Sequence, residues 1–282
     1  MSSTRGFIQH LLISLKLNFR NPMAVVMGYL LPIIFLLVFG AFLNTARYKM
    51  SDQMAQLLTI SILGGACFGL PIAFVSERER GVWRRYKLTP MPTRNFVISL
   101  LVARYFLVLT AGILQIVLAR VIYKTPMPVH PIQLFIAFTL ATFAFLGIGL
   151  IISMVASSTS AVQAWGQAIF LPMLIIGGVA IPLRMLPKWG PHVAAFLPGR
   201  YAVHAMDAAV RRTGTLGAWF WFAPLALMFI GAAGFLAGVK LFRWENNQKL
   251  GKRGLMWAIV AVAVWGVVGI AAEILHLVRK FQ

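Results

Sequence analysis

Seven apolar runs, each about 20 residues long and separated by polar breaks, constrain this chain more than any other feature. A backbone in lipid must satisfy its own N–H and C=O groups, so only helices and closed barrels can span a bilayer. Barrel strands would appear as roughly ten-residue alternating segments. These runs are twice as long and continuously apolar, so the spacing predicts helices. Composition agrees: 60% of the 282 residues are apolar and 11% are charged, against roughly a quarter charged in a soluble domain. The predicted spans are Met23 to Leu43, Met54 to Val75, Leu100 to Tyr123, Ile132 to Ala156, Val162 to Ile181, Trp219 to Val239 and Leu255 to Leu275.

The net charge of +20, from 26 basic and 6 acidic residues, would suggest nucleic acid in a soluble protein. Here the basic residues sit in the breaks, where membrane proteins hold Lys and Arg against anionic headgroups. No nucleic-acid partner is expected. With the N-terminus inside, the inner breaks carry the larger share of Lys and Arg, 14 against 10, and the margin rests mostly on residues 76 to 95. Seven spans would then put the C-terminus outside. Cys67 is the sole cysteine and lies in an apolar run, so a buried small hydrophobe is expected. Gln9, His10, Lys16, Asn18 and Arg20 interrupt the N-terminal apolar stretch, which is therefore not read as a cleavable signal peptide.

Residues 3 to 20 place Phe7, Ile8, Leu11, Leu12, Leu15 and Phe19 at helical spacing, with Arg5, Gln9, Lys16 and Arg20 mainly on other faces. Ser3 or Thr4 can cap this helix and Asn21-Pro22 ends it. Too polar to span, it would lie in the interface plane. Arg104 and Arg120 fall near the two ends of the third run and are read as anchors that reach the headgroups. In the fourth run, Ala137, Ala141, Gly149, Ser153 and Ser157 form a stripe of small residues suited to close helix packing. Trp219 and Trp221 mark one membrane interface and Trp244 the other. Residues 182 to 217 are too broken by proline to span and too apolar for an ordinary loop, so re-entrant or interfacial helices are expected. Three regions follow: 1–22, an amphipathic helix; 23–242, a six-span body; and 243–282, a basic linker with an added span.

Several chemistries lack their parts. There is no G-x-x-x-x-G-K-[ST] phosphate loop, so the chain is not expected to hydrolyse ATP itself and is not read as an enzyme. A proton or sodium relay needs intramembrane carboxylates, yet Asp52, Glu77, Glu79, Asp207 and Glu245 fall in breaks and Glu273 at the end of the last run. His192, His204 and Asp207 share the outer region, but a metal site needs three or four converging ligands. No metal and no cofactor is assigned to the chain.

Two stretches stand out. Residues 77 to 92, beginning Glu77-Arg78-Glu79-Arg80-Gly81 and continuing through Trp83, Arg84, Arg85 and Tyr86 to Pro90 and Pro92, mix both charge signs with aromatic residues directly after a span. Gly81 can end a helix and the prolines restart the chain. The second stretch carries Pro182 and Pro187, then Leu197-Pro198-Gly199-Arg200-Tyr201. In order and placement these elements resemble the membrane subunit, or permease, of type-2 ABC exporters. That family shows a Glu-Arg-Glu-x-x-Gly-like turn after its second span and a proline-rich outer region ending in Leu-Pro-x-x-Tyr. The resemblance covers about residues 5 to 245, and the seventh span departs from the family's six.

The resemblance implies an all-α integral membrane protein. Its parts are a six-helix type-2 ABC exporter transmembrane domain, an N-terminal elbow helix, re-entrant outer helices and an extra C-terminal transmembrane helix. It implies a homodimer of permeases in the inner (cytoplasmic) membrane, N-terminus cytoplasmic, served by a separate ABC ATPase subunit that binds ATP and Mg. Glu77, Arg78, Glu79, Arg80, Gly81, Trp83, Arg84, Arg85 and Tyr86 would couple to that subunit, with Trp83 and Tyr86 as buried anchors or as headgroup-level aromatics. Spans two and five would line the path, through Thr59, Leu63 and Phe68 and through Gln163, Gln167 and Phe170. Pro182, Pro187, Pro198 and Tyr201 would shape the outer cap. Scarce charge in the spans suggests an apolar or amphipathic cargo, such as a lipid-like molecule or drug. Two other classes stay open: an ion-coupled secondary transporter, and a membrane factor acting on lipids at the outer face.

Overall fold

A computed structural model describes residues 3–43, 50–88, 92–181, 183–210, 218–244 and 252–275. All regular structure among them is helical. Helix α1 spans Ser3–Arg20. A broken helix follows: α2 (Pro22–Val25), a π-helical segment (Val26–Leu30) and α3 (Leu31–Leu43). A 3-10 turn (Met50–Gln53) leads into the second long helix, made of α4 (Met54–Ile62), a second π segment (Leu63–Gly69) and α5 (Leu70–Glu79). Short α6 (Val82–Lys87) and long α7 (Thr93–Tyr123) come next, then α8 (Pro131–Val155) and α9 (Thr159–Ile175). After a 3-10 turn (Leu183–Met185), α10 (Gly190–Ala194) and α11 (Pro198–Val210) form a cap, and α12 (Ala218–Lys240) and α13 (Lys252–Ile274) complete the chain.

Among the described residues, five helices are long and apolar enough to cross a membrane: Met50–Glu79, Thr93–Tyr123, Pro131–Val155, Trp221–Lys240 and Met256–Ile274. The first predicted span is helical from Pro22 to Leu43, with its π-helical segment ending just before Pro32. The fifth stops at Ile175. There the N–H groups of Ile176 and Gly177 both return to Pro172 O, and Gly178 takes a left-handed φ of 76°. The third starts seven residues earlier than predicted, at Thr93 after Pro92. Its extra turns carry Phe96, Val97 and Ser99, all buried.

The Met50–Glu79 helix is the axis of the bundle, 94% of its apolar window being enclosed, whereas Met256–Ile274 is peripheral at 22%. Helices α8 and α12 share the most extensive helix–helix contact among the described residues. A Cβ on Gly147 would lie 2.9 Å from Gly231 O and 3.3 Å from the Gly234 Cα, so these backbones touch. The predicted stripe is real at Ala137, Ala141, Gly149 and Ser153. Ser157 lies beyond the helix and is exposed.

The ends of the bundle can be told apart by contacts. At the turn end, beside Gly81, lie α1, the start of α7 and the junction of α8 with α9. At the cap end, His130 N–H donates to Ala209 O at 3.1 Å. Helix α13 starts near Leu241, which a Cβ on Gly254 would meet at 3.1 Å. It finishes at the cap, where Glu273 pairs with His192 at 3.0 Å. Thus α13 runs from the turn end to the cap end.

Helix α1 forms as its periodicity predicts, but its buried line is polar. His10 and Ser14 are enclosed while Ile8, Leu12 and Phe19 are exposed. His10 Nδ1 hydrogen bonds Ser99 Oγ at 2.5 Å, and its ring meets the Tyr86 ring edge-on at 4.8 Å between centroids. Burial pulls the His10 pKa below its ordinary value.

Candidate coupling turn and lateral cavity

The turn after the second long helix is built by Gly81. Its φ of 71° and ψ of 13° are left-handed, a conformation glycine takes without a Cβ penalty. That reversal folds α6 back so that Trp83 enters the core, fully buried. Its indole packs against Phe74, Phe96 and Phe242 at centroid distances of 5.4, 5.4 and 5.7 Å. Its Nε1 donates to Glu77 Oε2 at 3.1 Å. Trp83 is therefore neither a partner anchor nor a headgroup aromatic; the aromatic cluster within the chain takes it first. Trp244 joins the same cluster, packing on Phe96 at 5.2 Å and on Phe242 at 5.1 Å.

Two charges of the turn, Arg78 and Glu79, serve helix ends. Arg78 is buried, and its Nη2 donates to Ala156 O at 2.6 Å. Arg243 Nη2 donates to the same oxygen at 2.9 Å. The last carbonyls of a helix have no intrahelical donor and carry partial negative charge, so cations belong there. At the next helix, Glu79 Oε1 accepts from Thr159 N–H at 3.1 Å, a carboxylate at the start of α9. Ser158 Oγ caps the same end by accepting from Ala161 N–H at 3.1 Å. What the turn shows outward is Glu79, Arg80, Arg84, Arg85, Lys87 and Leu88; Tyr86 is half-buried against His10 and Phe96. Thr89 and Pro90 lie outside the described residues.

The predicted path residues separate into two groups. Thr59 and Leu63 are fully enclosed within the bundle. Phe68, Gln167 and Phe170 do come together. With Leu31, Gly64 and Leu171 they line a cavity of about 290 Å³ between the first, second and fifth predicted spans. The rings of Phe68 and Phe170 meet edge-on at 6.0 Å. Gln163, Gln167 and Leu171 are exposed, so the cavity opens laterally on the uncovered face of α9. Gln163 lies on that face but does not line the cavity.

Arg104 departs most from expectation. It does not reach the headgroups: it is fully buried, and its Nη2 donates to Gly69 O. Its position in the third run fits an anchor equally well, and nothing local in the sequence marks the carbonyl that it meets. Arg120 donates to Thr125 O at 2.8 Å at the cap end.

In the cap, Pro198 opens α11, and two side chains after it tie the corner to α10. Arg200 Nη1 donates to Pro191 O at 2.7 Å, and the buried Tyr201 hydroxyl donates to Ala195 O. Pro187 O accepts the Gly190 N–H at 2.8 Å. Pro182 lies outside the described residues. His192 Nδ1 hydrogen bonds Glu273 at 3.0 Å. Among the described residues, no three His, Cys, Asp or Glu side chains gather as metal ligands.

This arrangement, a charged turn fastened to helix ends at one side of a helical bundle and a proline-rich cap at the other, accompanies a match to a family model. The model described as "ABC-2 type transporter" matches residues 7–210. The chain belongs to the ABC-2 type transporter family. The match covers α1 through α11, including the turn, the cavity and the cap, and stops before α12 and α13. Two curated relatives are similar: "Probable multidrug ABC transporter permease YbhS" of Escherichia coli K12, and the protein of the same name from Escherichia coli O157:H7. Each is 25% identical over 155 residues, which is 55% of this chain and 41% of the relative. The match thus spans less than half the length of those relatives. No solved structure matches significantly. This ABC-2 chain is a multi-pass membrane protein.

Proposed function

We propose that this chain is the permease of an ATP-driven exporter, with a separate ATPase subunit docking at the turn end and supplying ATP and Mg binding. The observation that carries the reading is the division of labour in the turn. Arg78, Glu79 and Trp83 lock it to α8, α9 and the aromatic cluster, while Arg80, Arg84 and Arg85 face outward. A rigid element with an exposed charged face is what a docking subunit needs to push on. The turn end is then cytoplasmic, in the inner membrane. Helix α1 serves as an elbow helix, α2 to α12 make six spans, and α13 adds a seventh that ends outside.

The lateral cavity is the entry for an apolar or amphipathic cargo. Its walls are aromatic and aliphatic except for Gln167, and such walls suit ligands with few polar groups. The relative's printed name, a multidrug permease, points to the same class. A second copy of the chain would cover the uncovered face of α9 and close the path.

The test is purification of the full chain from its native membrane. A separate ATPase should co-purify, and R80E/R85E should abolish that association and the complex's ATPase activity while leaving the chain's melting temperature unchanged. Transport by the isolated chain, driven by a pH gradient with no nucleotide, would overturn the reading. An impermeant thiol reagent should label Cys placed at Trp189 and Leu275 from the same side of the membrane, and Cys placed at Arg85 from the other.

A further inference from the structure

Spans one and two break in the same way, and α7 holds both breaks. Leu31 N–H reaches back to Val26 O, and Leu70 N–H to Gly65 O. These are the i→i−5 bonds of a π helix. In each case the next residue is a proline, Pro32 or Pro71, which has no N–H to give. The carbonyls of Met27 and Ala66 therefore lose both helical donors. The α-type donor is used one carbonyl earlier, and the π-type donor does not exist. Ala66 O faces Gly149 of α8, where a Cβ would collide with it.

Four residues of α7 meet these segments. Arg104 donates to Gly69 O beside the second break. Gln115, about three turns further on the same face, donates from Nε2 to Pro32 O at 3.1 Å beside the first. Its Oε1 accepts from Ser61 Oγ at 2.6 Å. Leu107 and Val108 press on the glycines within the π segments: a Cβ on Gly28 would lie 2.6 Å from Leu107 Cδ2, and one on Gly65 2.5 Å from Val108 Cγ2. The same segments supply the cavity wall, Gly64 and Phe68 from the second and Leu31 at the edge of the first.

We propose that the two proline-linked π segments are paired hinges, that Arg104 and Gln115 are the positioning residues that set their register, and that their motion sets the width of the lateral cavity by moving Phe68 against Phe170. A one-residue change of register turns the helix beyond it by about 100°, enough to swing a Phe68 side chain out of the wall. Arg104 can follow such a change. Its Nε and Nη1 are buried with no hydrogen-bond partner in the structure, so donors remain for a displaced carbonyl. Glu77 attracts the same guanidinium from the turn end and also holds Trp83. A push on α6 thus reaches Gly69 through three side chains. That last use of the hinge rests on the permease reading; the hinge itself rests on the backbone geometry.

The test needs neither nucleotide nor cargo, so its outcome is independent of that reading. The full chain carrying Cys67→Ala is placed in lipid nanodiscs with a single cysteine, F68C, and labelled with a small maleimide. R104M and Q115L should each raise the labelling rate about fivefold, the effect of one lost hydrogen bond. A control cysteine at the enclosed Leu57 should stay unlabelled. P71A, which restores the missing N–H, should lower labelling at position 68 and make it insensitive to R104M. Equal labelling at position 68 in every variant overturns the proposal, as does labelling at position 57 that rises in parallel. Should R104M and Q115L fail to fold, unchanged labelling in P71A alone overturns it.

Discussion

Arg78 and Arg243 donate to the same carbonyl oxygen, that of Ala156, at 2.6 and 2.9 Å. One follows the second span and the other the sixth, so a single helix end gathers three distant parts of the chain. Each arginine satisfies the carbonyl and each repels the other. Arg78→Met and Arg243→Met should therefore each cost about 1 kcal/mol or less, since one donor remains and a like-charge contact is relieved. The double variant should cost more than the sum by about 0.5–3 kcal/mol. Thermal melts of the four proteins in nanodiscs check this. Simple additivity would mean that the shared carbonyl does not couple them.

The buried Trp83 predicts a stability effect in the chain by itself, with no partner present. Trp83→Ala should cost about 3–5 kcal/mol through the cavity that it leaves. Trp83→Phe keeps most of the packing but removes the donor to Glu77, and should cost about 1–3 kcal/mol. If the isolated chain melted normally with alanine here, the indole would have to serve a partner after all.

Gly147 tests the backbone contact of α8 with α12. Gly147→Val should destabilise by about 1–3 kcal/mol, because the atoms it meets are backbone and cannot swing away. Gly266→Val on α13, where a Cβ meets nothing within 4 Å, should be neutral in the same melt.

His10 predicts acid-sensitive docking of α1. Its pKa in the folded chain lies below the ordinary 6.5 because burial disfavours the charged ring. The docked state binds fewer protons than the undocked one between those two values, so stability rises with pH there. Docking is at full strength above pH 6.5 and weakens as pH falls through the lowered pKa. Hydrogen exchange of α1 amides should accelerate below about pH 6, and H10Q should exchange at a rate independent of pH after correction for intrinsic chemistry. An unchanged profile in H10Q would assign the effect to another group.

Most of the helices were legible because apolar length is a strong local signal. Runs such as Ile132 to Ala156 have no soluble alternative, and Pro92 opens α7 by its own chemistry, whereas the stop at Ile175 before Gly178 was not legible in the sequence. The turn was legible as a unit, since Glu77, Gly81 and the prolines exceed what membrane orientation requires. Its internal assignments were not. Whether Trp83 faces a partner or the core depends on Phe74, Phe96 and Phe242, which are brought together only by the fold. Arg104 failed for the same reason: the carbonyl it meets, Gly69 O, lies near a proline on a different helix. Which of the expected path residues share a cavity was not legible, because spacing on one helix cannot tell which face a neighbour covers. Thr59 and Leu63 face the bundle, while Phe68 faces α9.

The bond between α7 and the two proline breaks bears on how the chain is made. Spans one and two leave the ribosome before span three exists. Met27 O and Ala66 O have no helical donor with or without α7, and until α7 arrives Pro32 O and Gly69 O lack the Gln115 and Arg104 donors. Unpaired backbone groups in hydrocarbon are costly, so the first two spans should linger near water or the insertion machinery and not partition fully into lipid. Arg104, expensive in a bilayer on its own, gains its carbonyl partner in the same step. Three individually poor membrane segments thus become one good one, and the obligatory unit of insertion for this chain is the triplet.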